Sequence, residues 1–155
     1  MQFTGKEDIE APIERVFEEI TDFQGFERSA LRRGADVRRT DKLKVPGVGM
    51  SWHAAFKLRG KQRKVDVTVA EYDPPNGIKL GLMSPSIEGQ MVAELVALSR
   101  GRTRMTVTLV LQPRTLAARL MMQSLRLARN NLTKRFKVRL GEYAAEVEDR
   151  YTRSV

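Results

Sequence analysis

The chain has 155 residues, 41% of them apolar and 30% charged, with no cysteine and a formal net charge of +9. That length suits a single domain with one core, the composition excludes a disordered chain, and the missing cysteines exclude disulfides and thiolate chemistry. The basic surplus favours anionic partners (nucleic acid, acidic lipid, carboxylate or phosphate ligands) or simply serves solubility. It is unevenly spread: residues 1–27 hold two basic and eight acidic residues, whereas 28–155 hold 26 basic and 11 acidic. The start, MQFTGKEDIEAP, has no apolar run of signal-peptide length. Nowhere do about 18 apolar residues follow one another. A cytoplasmic location is therefore expected.

Phe3 to Glu10 reads as a half-polar strand. Pro12 then stands where a helix would begin, since its fixed φ and missing N–H suit a first turn. Ile13, Val16, Phe17 and Ile20 follow at helical spacing, and Asp22 ends that helix. Phe23, Phe26 and Ala30 or Leu31 predict a second short helix closed by Gly34. Two such helices suit a gate or brace at one end of a sheet better than a catalytic platform.

After Gly34 the period falls from near 3.6 to 2. Ala35 to Thr40 predicts an edge strand that Arg38, Arg39, Lys42 and Lys44 would protect from pairing with another chain. Pro46-Gly47-Val48-Gly49 is a loop; no helix start follows it, which argues against a phosphate cradle. Met50, Trp52, Ala54, Phe56 and Leu58 alternate with Ser51, His53, Ala55, Lys57 and Arg59, the clearest two-residue period in the chain. Val65, Val67 and Val69 form the return strand. Asp73-Pro74-Pro75-Asn76-Gly77 is a strong turn signal. Ile78, Leu80 and Leu82, then Met91 to Leu98, then Met105, Val107, Leu109 and Leu111 give three more strands. Short Gly and Pro turns between them argue for an antiparallel meander and not for crossovers.

Pro113 ends the sheet and Thr115 is a plausible helix cap. Met121, Leu125, Ala128, Leu132, Phe136, Leu140, Tyr143, Val147 and Tyr151 recur at steps of three and four, which predicts one helix of about 36 residues spanning about 54 Å. The sheet before it must cover that stripe. From Arg114 to Arg139 the helix carries eight basic residues and no acidic one. Gly141 would mark a bend or a close backbone contact.

This order resembles the helix-grip fold of the START and birch-pollen-allergen (SRPBCC) superfamily, in its polyketide cyclase/dehydrase and lipid-transport branch. Ile9-Glu10-Ala11-Pro12 with Val16-Phe17 and Ile20-Thr21-Asp22 resembles the family's first strand and helix. Gly47 and Gly49 ahead of Trp52, the turn Glu71-Tyr72-Asp73-Pro74-Pro75, and Gly101, Arg102, Thr103 and Val107 resemble its later signatures. Ser29 departs from it, because many relatives have a tryptophan near the end of the second helix. The resemblance implies an α+β domain over 1–155: a curved seven-stranded antiparallel sheet wrapped around a long C-terminal helix, with two short helices after strand 1. It also implies an apolar cavity between sheet and helix, since the family binds lipids, sterols, polyketides, quinones and hormones and some members catalyse cyclisation or dehydration. Fold alone does not choose among these roles.

His53 is the only histidine, but strand parity points it away from Trp52, to the surface or a lateral contact. Glu94 and Tyr72 fall on the outer face by the same count. No metal site and no cofactor are expected. The candidate ligand-binding residues are Trp52, Phe56, Val67, Leu80, Met91, Leu95, Leu109, Met121 and Leu125. Methionine among them would adapt to varied apolar shapes. The expected function is binding or transport of a small hydrophobic, lipid- or polyketide-like and in some cases anionic, ligand. A cyclase or dehydratase is the alternative, and would need at least two titratable groups inside the cavity. The third class is surface binding by the basic helix together with Lys57, Arg59, Lys61, Arg63 and Lys64, with an anionic membrane as partner. Nucleic acid is not expected, since few aromatics interleave with the basic residues. Monomer and homodimer both stay open.

Overall fold

A computed structural model describes residues 1–155. Strand β1 (Gln2–Ile9) leads into helices α1 (Ile13–Ile20) and α2 (Phe23–Arg32). Six further strands follow: β2 (Asp36–Arg39), β3 (Ser51–Leu58), β4 (Lys61–Asp73), β5 (Gly77–Met83), β6 (Ile87–Ser99) and β7 (Arg102–Pro113). All pair antiparallel in one sheet of order β1-β7-β6-β5-β4-β3-β2. The meander from β2 to β7 thus returns to β1, and the two short helices carry the chain from one sheet edge to the other. Helices α3 (Leu116–Leu125) and α4 (Arg129–Ser154) complete the chain.

The local chemistry matches these boundaries. Asp22 caps α2 by accepting from Gly25 N–H at 3.1 Å, and Thr115 caps α3 by accepting from Ala118 N–H at 3.1 Å. The two-residue turn between β3 and β4 is Arg59-Gly60, with φ of 53° and 77°. Positive φ at both central positions gives a turn whose twist matches the strands. The loop before β3 is tied by Asp41, whose carboxylate accepts from Arg39 at 2.8 Å and from Ser51 N–H at 2.9 Å. These bonds hold the Asp41 carboxyl well below the usual carboxylate range.

Two expectations are corrected. Tyr72 faces inward, its ring 5.5 Å from that of Phe17, and not outward. The cause is a register shift in β4 between Val69 and Glu71, which inserts one residue and reverses the parity beyond it. The terminal helix is also not one rod: a 3-10 turn at Arg126–Ala128 separates α3 from α4. Asn130, Asn131 and Thr133 follow, all weak helix formers, inside a run of like charges. Ala118 and Met122 are buried and Met121 is exposed, while Leu125, three residues beyond Met122, is half-buried on the same face.

The core falls into two clusters. One joins Ile9, Val16, Phe17, Leu95, Met105 and Val147 between α1, α4 and strands β1, β6 and β7. The other is Met50, just before β3, with Trp52, Val69 and Ile78 on β3, β4 and β5. Helix α4 lies chiefly on β1. The crossing is close: a Cβ on Gly5 would stand 2.8 Å from Leu140 Cδ2 and 3.5 Å from Phe136. Gly141 provides a close approach and not a bend, with the Glu7 carboxylate 3.1 Å from where a Cβ would be.

Gly5→Ala is expected to lower stability by about 1–3 kcal/mol, the range for overpacking a well-filled contact. Gly141→Ala should be near neutral, since the Glu7 tip can turn aside and the helix gains about 1 kcal/mol in propensity. Urea midpoints of the two variants check this; equal losses would contradict the crossing described.

Candidate functional site

Between the two clusters lies a cavity of about 500 Å³, within the range of about 300–1,000 Å³ found for small-molecule sites. Seventeen of its 19 lining residues are hydrophobic, so a guest would be held by desolvation and dispersion and by few polar contacts. The sheet supplies the floor, with Trp52 and Ala54 from β3, Val67 from β4, Ile78 and Leu80 from β5, Met91 and Ala93 from β6, and Met105 and Val107 from β7. Phe136, Leu140 and Tyr143 of α4 form one wall. Ile20, Phe23, Phe26 and Ala30 close the remaining side from α1 and α2. Phe26 is half exposed and its ring meets that of Tyr143 at 6.1 Å, so the mouth runs between α2 and α4.

Helix α2 has no fully buried residue of its own. Trp52 holds it: the indole N–H donates to Glu27 Oε1 at 2.7 Å, and the Phe23 ring lies 5.0 Å from the indole. Glu27 and Arg139 are the charged members of the lining. Tyr143 adds the third polar group. Its hydroxyl is buried without a hydrogen-bond partner. Burial first, and then the nearby Glu19 carboxylate, push the phenol well above its ordinary range. It therefore stays a protonated donor at any physiological pH. Glu19 is itself fixed by Arg15 at 3.2 Å and Arg150 at 2.9 Å, which locks α1 to α4 behind the tyrosine.

The structure places Trp52, Val67, Leu80 and Met91 in the lining. It does not bring Phe56, Leu95, Leu109, Met121 or Leu125 there. Phe56 pairs with Arg63, three residues beyond Asp66, where the β4–β5 pairing stops, so no floor continues beneath it. Leu95 has the right parity but is sealed in the first cluster. Leu109 pairs with Phe3, whose ring packs on Phe136 at 5.9 Å. Met121 is exposed on α3, and Leu125 is half-buried on the inward face of α3 without reaching the lining. The residues missed are Ile20, the sheet residues Val37, Ala54, Ile78, Ala93, Met105 and Val107, and those of α2 and of the mid-region of α4. The helical spacing of Phe23 and Phe26 and the stripe through Phe136, Leu140 and Tyr143 were the signals for the helical ones.

The titratable groups of the sheet lie elsewhere. His53 Nδ1 meets Asp66 Oδ1 at 2.7 Å across β3 and β4, Glu71 is exposed with Lys79 at 3.8 Å, and Glu94 is exposed. No group of three or more acidic or histidine side chains is arranged to hold a metal ion.

No family model matches the chain, and no curated protein matches its sequence. Solved structures do match along nearly its full length. An aromatase/cyclase, ZhuI, from Streptomyces sp. R1128 superposes with a TM-score of 0.68 at 15% identity, over 97% of this chain and 95% of that one. The protein Ara h 8.0201 superposes with a TM-score of 0.60 at 14% identity, over 95% and 97%. A START superfamily protein from Mycobacterium smegmatis gives 0.57 at 12% identity, over 86% and 95%. This chain has the helix-grip fold of the START and birch-pollen-allergen superfamily. No helix is long and apolar enough to cross a membrane.

Glu27→Ala is expected to cost about 1–3 kcal/mol, because it strands the Trp52 N–H at an apolar wall. Glu27→Gln keeps an acceptor oxygen and should recover most of the loss. Chemical denaturation measures both, and amide exchange should rise in α2 alone for the alanine variant. An unchanged α2 would contradict the anchoring described.

Proposed function

We propose that the protein binds a small hydrophobic molecule in this cavity, apolar body inward and polar end toward Arg139. The observation that carries this reading is the apolar lining itself, 17 hydrophobic residues of 19 around a space of about 500 Å³ that opens to solvent. Arg139, exposed at the mouth, suits a carboxylate or another anionic terminus. Carrier or sensor roles both follow from such binding. The carrier reading includes a cytoplasmic setting and needs no cofactor.

A cyclase- or dehydratase-type reaction is the second reading, favoured by one specific feature. Glu27 gives the lining one carboxylate. An acid–base pair needs a second group, but Glu27 is already engaged by Trp52 and the Tyr143 hydroxyl is covered. Binding without turnover is therefore ranked first.

Trp52 is the only tryptophan and lines the cavity, so its fluorescence reports occupancy. Titration with long-chain fatty acids, isoprenoid alcohols and polycyclic phenols should give a saturable change at one equivalent for at least one class. No change with any class would reject the reading. Tyr143→Phe should stabilise the protein by about 1–3 kcal/mol by removing an unpartnered buried hydroxyl. Arg139→Gln should weaken fatty-acid binding and leave the neutral alcohols unchanged; equal fatty-acid binding would remove Arg139 from the site. Turnover lost in Glu27→Gln with binding retained would favour the enzyme instead.

A further inference from the structure

The end of the molecule around α3 carries an arrangement that the cavity does not use. Leu116, Leu120 and Leu127 are 71%, 56% and 97% exposed. Leu116 and Leu120 share the face of α3 opposite the one that buries Ala118 and Met122, and Leu127 stands out on the 3-10 turn that follows. The helix is thus packed on one side and apolar on the free side. A cleft of about 570 Å³ opens beside it, lined by Arg119, Arg126 and Arg129 together with Gln2, Pro113 and Met122. No acidic residue lines it.

A second feature stands at the same end of the sheet. Strand register carries the position of Asp66 across Met83 and Glu88 to Gln112, so the β3–β4 tip lies at the end where β7 runs into α3. That tip exposes Leu58 between Lys57 and Arg59, with Lys61, Arg63 and Lys64 following. The opposite end carries charges of both signs, with Asp8 on Arg104 at 2.9 Å and Glu19 on Arg150 at 2.9 Å. Arg119, Arg126 and Arg129 differ in forming no ion pair, so their charge is left for an anionic partner.

We infer that this basic end docks on an anionic phospholipid bilayer, with Leu116, Leu120, Leu127 and Leu58 entering the headgroup–acyl boundary and the cleft of Arg119, Arg126 and Arg129 receiving a lipid phosphate. An apolar helix face bordered by arginines is the form that interfacial helices take, and cations near such a surface add to the attraction. Nucleic acid fits less well, because Arg114 to Arg135 contains no aromatic side chain to stack on bases. A second copy meeting the same face would set these arginines against their own counterparts. The inference stands apart from the cavity reading, since an empty cavity would leave this end unchanged.

Vesicle sedimentation tests it on the full chain. Binding is expected to vesicles of equal parts phosphatidylglycerol and phosphatidylcholine, weakened by raised salt, and absent with phosphatidylcholine alone. Leu116→Asp with Leu127→Asp should reduce it by about tenfold or more. Arg119→Gln with Arg126→Gln and Arg129→Gln should reduce it on the order of a hundredfold. All five side chains are exposed, so both variants should melt as the parent does. Four outcomes overturn the inference. They are no binding to the phosphatidylglycerol vesicles, equal binding to the neutral ones, full retention by either variant, and duplex DNA bound where the vesicles are not. Self-association abolished by Leu127→Asp in a protein that ignores vesicles would assign the face to a second copy and overturn it too.

Discussion

The structure depends on one crossing. Helix α4 meets β1 where Gly5 leaves no side chain, so Leu140 and Phe136 settle almost onto the backbone. Close contact at one edge of a curved sheet fixes the helix there and leaves the middle of the sheet with less above it. The apolar surface consequently divides into two clusters and not one. The space between them is the cavity. A helix held farther from β1, or centred over β5, would have merged the clusters and filled the gap.

The remaining wall is made by a weakly attached element. Helix α2 buries no residue fully and is held through Trp52, by one charge-assisted hydrogen bond and one ring contact. Elements with few buried contacts are the ones that open at low free-energy cost. The cavity thus borders an element with few buried contacts. Of the polar groups, Glu27 ties α2 to Trp52 and Arg139 stands exposed at the rim.

Much of the fold was legible in the sequence because alternation and helical spacing each report a buried face directly. The strand signals from Trp52 to Leu111 survive in the observed pairing, and the Arg59-Gly60 turn is where the pattern breaks. What was hidden was phase. One inserted residue near Ala70 turned Tyr72 inward, and Met121 faces outward on a helix that a 3-10 turn at Arg126–Ala128 separates from α4. Neither changes composition or average periodicity, so neither leaves a mark that spacing can detect. The cavity lining was legible for the middle of the sheet, at Trp52, Val67, Leu80 and Met91. It was not legible at Phe56, Leu95 or Leu109, since parity says which face a residue occupies and not how far along the strand the cover extends.

The central claim is that the gap between the clusters is real and admits an apolar guest. Methionine methyl resonances give the most direct test, because Met91 and Met105 line the cavity while Met121 is exposed on α3 and Met122 lines the separate cleft. On adding a saturating hydrophobic ligand to methyl-labelled protein, the account predicts that Met91 and Met105 shift together and Met121 does not. Shifts confined to Met121 and Met122, with Met91 and Met105 unmoved, would place the guest on the surface and contradict it.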